Sequence, residues 1–454
     1  MKPSVTALAF SLALVLAAPT PAQADTLIDN VNGMSLDRDG KVERFTGLLL
    51  GDDGRIEQVL QRSDKRPGKV DYKVDGKGRT VIPGFIDSHV QLMPLGLSLL
   101  TDTKPDAKPR PEDRDQALLK AQQALLARGI TTVTDMGTTI EDWQSYRRAG
   151  DAGALQMRIV AYAEGIDAMI LIGGPGPTPW LYDDRLRLNG VKLTLDGALM
   201  SRAATLKAPY ADAPTSKVGL RLSETQLKNL MSRASMDKFQ VAVEASGDKA
   251  VQAVIDSLAE LSETYKGDRR WRIENVEAID LNDLPGLTGK GVAASMQPQQ
   301  VEIGSTVAEA RLGPARVTGA YAWKSLAGAG ASLAFGSGAP GATPAPFAAL
   351  SIAVTRQRAD GEPYGGWQAQ ERLTRESALA AWTAGAAWAG FAEGRIGRLA
   401  KGQRADFLLL DRDPLLATPA ELRATQVLQT WVNGRLVYQA KDGETAPQEP
   451  GEGR

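Results

Sequence analysis

The 454-residue sequence contains no cysteine and a single histidine, His89. The first absence excludes disulfides, thiolate metal ligands and a lipid attached through an N-terminal cysteine. The second excludes a metal centre built from several imidazoles. An excess of charge of either sign is lacking too: 53 basic against 54 acidic side chains leave a formal net charge of −1. Such a chain has neither the basic stripe of a nucleic-acid binder nor a polybasic membrane patch. Beyond its first residues it has no apolar run long enough to cross a bilayer. The partner class that remains is a small molecule, as ligand or substrate, with no nucleic acid and no membrane insertion. A homo-oligomer is compatible with all of this.

The one long apolar run is N-terminal. Lys2 gives a positive start, Val5 to Ala18 is nearly unbroken apolar sequence, and Ala22-Gln23-Ala24 offers a small-residue cleavage site before Asp25. This pattern reads as an export signal over residues 1–24, too short to anchor comfortably, and it implies a periplasmic or secreted mature protein. The competing reading is an uncleaved, buried N-terminal helix.

From about Thr80 to Trp388 short apolar runs alternate with helical spacing. The runs are Val81 to Asp87, Ile130 to Asp135, Met157 to Tyr162, Val191 to Leu195, Val241 to Glu244, Trp271 to Glu274, Val292 to Ser295 and Leu333 to Phe335. Between them, Asp113 to Arg128 carries a leucine stripe and stops at Gly129, and Asp248 to Thr264 aligns Val251, Val254, Ile255 and Leu258. Ser223 to Lys238 opens with Ser223-x-x-Gln226, a capping box. Eight strand–helix units over roughly 300 residues predict an α/β fold, a (β/α)8 TIM barrel. The rival, a doubly wound open sheet, lacks its Gly-x-Gly-x-x-Gly turn after the first strand.

Both flanks are β-rich, with Gly47-Leu48-Leu49-Leu50 at one end and Phe407-Leu408-Leu409-Leu410 at the other. They are expected to pair into one small β-sandwich beside the barrel, residues 25–79 giving its N-terminal part and 391–440 its C-terminal part. The barrel then occupies 80–390. Residues 441–454, charged and rich in Pro and Gly, read as a disordered tail.

Val81-Ile82-Pro83-Gly84-Phe85-Ile86-Asp87-Ser88-His89 resembles the first barrel strand of the metal-dependent amidohydrolase superfamily, which ends in His-x-His. Val191-Lys192-Leu193 followed by Asp196-Gly197-Ala198 is similar to the fourth-strand lysine region of the amidohydrolase-3 branch. Gly397 to Phe407 resembles that family's returning sandwich segment. The resemblance implies a hydrolase of carbon–nitrogen bonds other than peptide bonds. It also implies which positions should bind metal, and most are substituted. His89 is present, but Gln91 replaces the second histidine. Lys192, the position of a carboxylated metal-bridging lysine, is kept. Glu244 and Asn275 replace the histidines of strands five and six, and Gly338 replaces the strand-eight aspartate. Amide oxygens bind zinc far less well than imidazole nitrogens, and glycine supplies neither ligand nor general base.

Each candidate has a sharper and a plainer reading. His89 is either a surviving ligand or acid–base group, or a hydrogen-bonded relic at the barrel mouth. Lys192 is a carboxylated bridge, a cation for an acidic ligand, or a lysine paired with a carboxylate. Glu244 is a replacement ligand, or the counter-ion of Lys192 within about 4 Å, which is the expected arrangement. Asp87, Asp135 and Asp196 lie near strand ends, where aspartates commonly order loops. Ile170 to Pro177 resembles a loop over the mouth, and Trp367, Trp382 and Trp388 have the spacing of core residues more than of a pocket lining.

The sequence thus predicts an exported family member with a degraded metal site, no cofactor, and small-molecule binding without catalysis or with strongly impaired catalysis. The alternative is a working amide hydrolase with a site rebuilt around His89, Lys192 and Glu244. Only under that alternative would a divalent metal such as zinc be held.

Overall fold

A computed structural model describes residues 25–100 and 108–441. The expected signal, 1–24, and all but the first residue of the expected tail, 441–454, lie outside the described residues. The N-terminal flank forms β1 (Thr26–Leu36), β2 (Val42–Leu50), β3 (Ile56–Leu60), β4 (Tyr72–Asp75) and β5 (Thr80–Pro83). The barrel strands are β6 (Phe85–Val90), β7 (Ile130–Thr138), β8 (Arg158–Glu164), β9 (Leu186–Thr194), β10 (Gln240–Ala245), β11 (Arg272–Asn275), β12 (Ala293–Met296) and β13 (Ser332–Phe335). The C-terminal flank returns as β14 (Phe407–Leu410), β15 (Val427–Val432) and β16 (Arg435–Gln439).

Strands β6 to β13 pair in sequential order, all parallel, as a (β/α)8 barrel requires. The ring is nearly closed, with a single bridge between Val90 and Ala339 joining its two ends. Helices lie between the strands. The helix over Glu224–Met236 begins with the expected capping box: Ser223 Oγ accepts from the Gln226 N–H at 3.2 Å, and Gln226 Oε1 accepts from the Ser223 N–H at 2.9 Å. The helix over Asp248–Thr264 turns Val251, Val254, Ile255 and Leu258 into the core, as their spacing predicts. No helix among the described residues is long and apolar enough to cross a membrane.

The flanks build the second sheet, in the order β16-β15-β14-β5-β1-β2-β3 with β4 also on β1. It is mainly antiparallel and has its own apolar core, including Ile28, Phe45, Leu48, Val81, Phe407 and Trp431. Phe407 and Trp431 stack at 5.2 Å between ring centroids.

The run from Val81 to Asp87 is not a single barrel strand. Its first residues pair with Phe407–Leu410 in the small sheet, and the barrel strand starts only at Phe85. Gly84 marks the change of sheet, because a Cβ there would lie 2.3 Å from Thr131 Oγ1. The two sheets are locked together by Arg158, which is fully buried at the start of β8 and grips Asp406 with Nε at 2.6 Å and Nη2 at 2.8 Å. Bidentate geometry makes this one of the stronger kinds of ion pair.

Candidate functional site at the barrel mouth

The carboxyl ends of parallel barrel strands are where side chains of several strands converge, so the site is built there. Strand alternation sends every second residue inward. On β11 that puts Arg272 and Glu274 on one face, and both are completely buried. Arg272 Nε donates to Glu274 Oε1 at 2.7 Å, its Nη2 donates to the Ser88 carbonyl at 2.7 Å, and its guanidinium lies 5.0 Å from the Tyr162 ring centroid. Glu274 Oε2 lies 2.8 Å from His89 Nδ1, joining β11 to the end of β6. Burial alone would raise the Glu274 carboxyl, but Arg272 and His89 overcome it and hold it down at about 2. A polar chain therefore crosses the barrel interior from strand one to strand six.

The second constellation lies on the neighbouring strands. Lys192 of β9 and Glu244 of β10 meet with Nζ 2.5 Å from Oε2, well inside the expected separation. Thr194 Oγ1 donates to the same carboxylate oxygen at 3.5 Å. The lysine and glutamate side chains keep 10% and 19% of their exposure, whereas those of Arg272 and Glu274 keep none. The Lys192 pair can therefore meet a ligand, and the inner pair cannot.

The three strand-end aspartates serve the loops. Asp87 accepts from the N–H groups of His89 at 3.1 Å and Ser337 at 2.9 Å. Asp135 accepts from the Leu92 N–H, the Thr138 hydroxyl and the Tyr146 hydroxyl. Asp196 accepts from the N–H groups of Thr205, Ser246 and Gly247. Burial pushes each of the three up to about 6, partly offset by those hydrogen bonds. Their plain reading holds.

The substituted positions are equally plain. Gln91 caps the short helix over Leu92–Ser98 with its backbone, and its side chain makes no capping bond. The Asn275 amide nitrogen is 3.4 Å from Ser246 Oγ, and its backbone sits at φ 74°, a region asparagine tolerates. Gly338 stands at φ 72° with its N–H bonded to the His89 carbonyl at 2.8 Å, so an aspartate there would add backbone strain of about 1 kcal/mol.

A divalent ion, the group implied by the superfamily resemblance, does not fit these donors. His89 Nδ1 is engaged by Glu274 and Lys192 Nζ by Glu244, while Asn275 and Gly338 supply no strong ligand. Among the described residues, no group of three or more His, Asp or Glu side chains is placed to hold an ion.

Ile170 to Pro177 is not a loop over the mouth: Gly165–Gly173 is helical, and Gly173 packs on Phe239 and Leu188 near the amino ends of β10 and β9. Trp367 and Trp382 belong to the core, and Trp388 lies against Arg270, 4.7 Å from its guanidinium carbon.

Sequence reasoning missed Arg272, Glu274 and Glu277. Glu277 is buried, accepts from the Leu199 N–H at 2.9 Å, and is pushed up to about 7 by burial, with Asp196 and Glu244 acting in the same direction. A signal for the first two existed: opposite charges two residues apart in a strand otherwise bound for the core.

The family model "Amidohydrolase family" matches residues 92–438. The sequence is 31% identical over 346 residues to the protein LONG AFTER FAR-RED 3 of Arabidopsis thaliana, covering 72% of this chain and 58% of that one. It is 28% identical over 355 residues to the N-substituted formamide deformylase of Arthrobacter pascens, covering 74% and 62%. The chain thus spans about three fifths of the length of these curated relatives. In fold it is similar to an uncharacterized metal-dependent hydrolase from Pyrococcus horikoshii OT3, with a TM-score of 0.75, 22% identity, and coverage of 87% and 99%.

Proposed function

The chain belongs to the amidohydrolase family, and from that premise we propose that it is an exported member with a degraded metal site, which binds a small molecule at the barrel mouth without metal-dependent catalysis. The observation that carries this reading is the Lys192–Glu244 ion pair, 2.5 Å long. A carbamate on that lysine would bring a second anion against Glu244, so the pair opposes the metal-bridging form the family position implies. It also replaces lost metal charge by a cation that is already neutralised. The recognition surface is then a donor and an acceptor side by side, Lys192 and Glu244, with Thr194 beside them.

Export to the periplasm or beyond is part of the same proposal and rests on residues 1–24. Elemental analysis of purified mature protein for zinc, manganese, iron and nickel tests the reading. We expect no stoichiometric metal, and one equivalent per chain would overturn it. A second reading is favoured by the similarity to the formamide deformylase: hydrolysis of carbon–nitrogen bonds in amides by a site rebuilt around His89, Lys192 and Glu244. Turnover of an N-substituted formamide by metal-free protein, lost in Lys192→Ala, would establish it.

A further inference from the structure

The only histidine of the chain is tethered at one nitrogen and open at the other. Glu274 Oε2 lies 2.8 Å from Nδ1. Nε2 has no partner among the described residues, and the side chain keeps 9% of its exposure, whereas the unpartnered Asp87 Oδ2 is sealed. The ring therefore keeps contact with solvent at the carboxyl end of β6. The glutamate is itself fixed: Arg272 Nε holds Oε1 at 2.7 Å, and Arg272 Nη2 reaches Oε2 at 3.4 Å. Because the guanidinium already holds the carboxylate, what Glu274 lacks on its His89 side is a hydrogen-bond donor, and the Nδ1–H of the imidazole supplies it. The hydrogen bond made by one ring nitrogen decides what the other can do.

We propose that Glu274, clamped by Arg272, is a positioning residue that fixes His89 as the Nδ1–H tautomer and presents Nε2 to the barrel mouth as a hydrogen-bond acceptor. This deepens the metal-free ligand reading and rests on it. The ligand group that fits is an N–H or O–H donor. His89 accepts from it on one side of the mouth, and Lys192 and Glu244 offer their donor and acceptor on strands four and five.

One histidine per chain makes the test direct. In protein labelled with 15N at histidine, nuclear magnetic resonance at neutral pH should show a single ring protonated at Nδ1 and bare at Nε2. In Glu274→Gln that pattern should be lost in favour of the Nε2–H tautomer that a free histidine side chain prefers. The double variant Arg272→Met/Glu274→Met, which removes both buried charges together, should show the same change if the single variant does not fold. A wild-type ring protonated at Nε2, or at both nitrogens, overturns the proposal, as does a folded variant with an unchanged pattern. Added zinc separates this failure from that of the parent reading. A stoichiometric shift at Nε2 would overturn both the acceptor role and the metal-free site, whereas a wrong tautomer with no zinc response overturns only the role given to Glu274.

Discussion

The two charged constellations of the barrel use the same chemistry at different depths. Arg272 and Glu274 have no exposed side-chain surface, while Lys192 and Glu244 keep 10% and 19% of theirs. Depth changes what an ion pair does. A sealed pair adds little net stability compared with apolar packing, but losing one partner strands the other charge in a medium that cannot solvate it. A pair touching water can lose a partner cheaply, since solvent takes over. The inner pair is therefore a structural commitment that orients His89, and the outer pair is free to exchange its partners for those of a ligand.

The largest expected effect sharpens that contrast. Arg272→Met alone should lower unfolding free energy in urea by about 3–5 kcal/mol, because the Glu274 charge remains buried. Arg272→Met/Glu274→Met should recover most of that loss. A single variant as stable as the wild type would show that water reaches Glu274. A somewhat smaller loss, about 3 kcal/mol, is expected for Asp406→Ala, which frees the buried Arg158 at the contact between the sheets. Its unfolding should also become less cooperative, monitored by tryptophan fluorescence against circular dichroism.

The pH dependence comes next. Burial pushes Asp87, Asp135 and Asp196 up to about 6 and Glu277 up to about 7 in the folded chain, above the ordinary carboxylate values of 3.8 and 4.5. The folded state therefore binds protons more tightly than the unfolded one at these sites. Their contribution to stability is complete below the unfolded values and is lost as pH rises through about 6 to 7. Glu274 has the opposite sign: held at about 2, it contributes above 4.5 and loses that contribution as pH falls toward 2. The melting temperature should accordingly rise as pH is lowered from about 7 to about 5. A flat profile across that window would mean these carboxylates are better solvated than their burial implies. The smallest effect belongs to Lys192→Ala, about 1–2 kcal/mol, since Glu244 keeps 19% of its exposure and water can reach part of its charge. A cost as large as that of Arg272→Met would erase the distinction between the two constellations.

Much of the architecture was legible because period and order are written in the chain. Eight apolar runs separated by helical spacing identified the barrel strands, and Ser223 with Gln226 marked a helix start that the structure keeps. The proximity of Lys192 and Glu244 followed from strand adjacency and charge. The break at Gly84 was not legible, because an apolar run does not say which of two sheets its residues join. Nor was the helix over Gly165–Gly173, whose apolar glycine-rich end looks like a loop.

The sequence by itself determined the inventory: one histidine, no cysteine, a lysine at 192 and a glutamate at 244. Those are statements about which groups exist, and local pattern suffices for them. Only the tertiary structure decided that His89 meets Glu274, 185 residues further along the chain, and that Arg272 stands behind it. Such a contact depends on which strands close the ring and how deep each side chain lies. Barrel closure brings β6 and β11 to face one interior, and the exclusion of water there gives a glutamate, an arginine and a histidine a joint arrangement that none would hold alone in solvent.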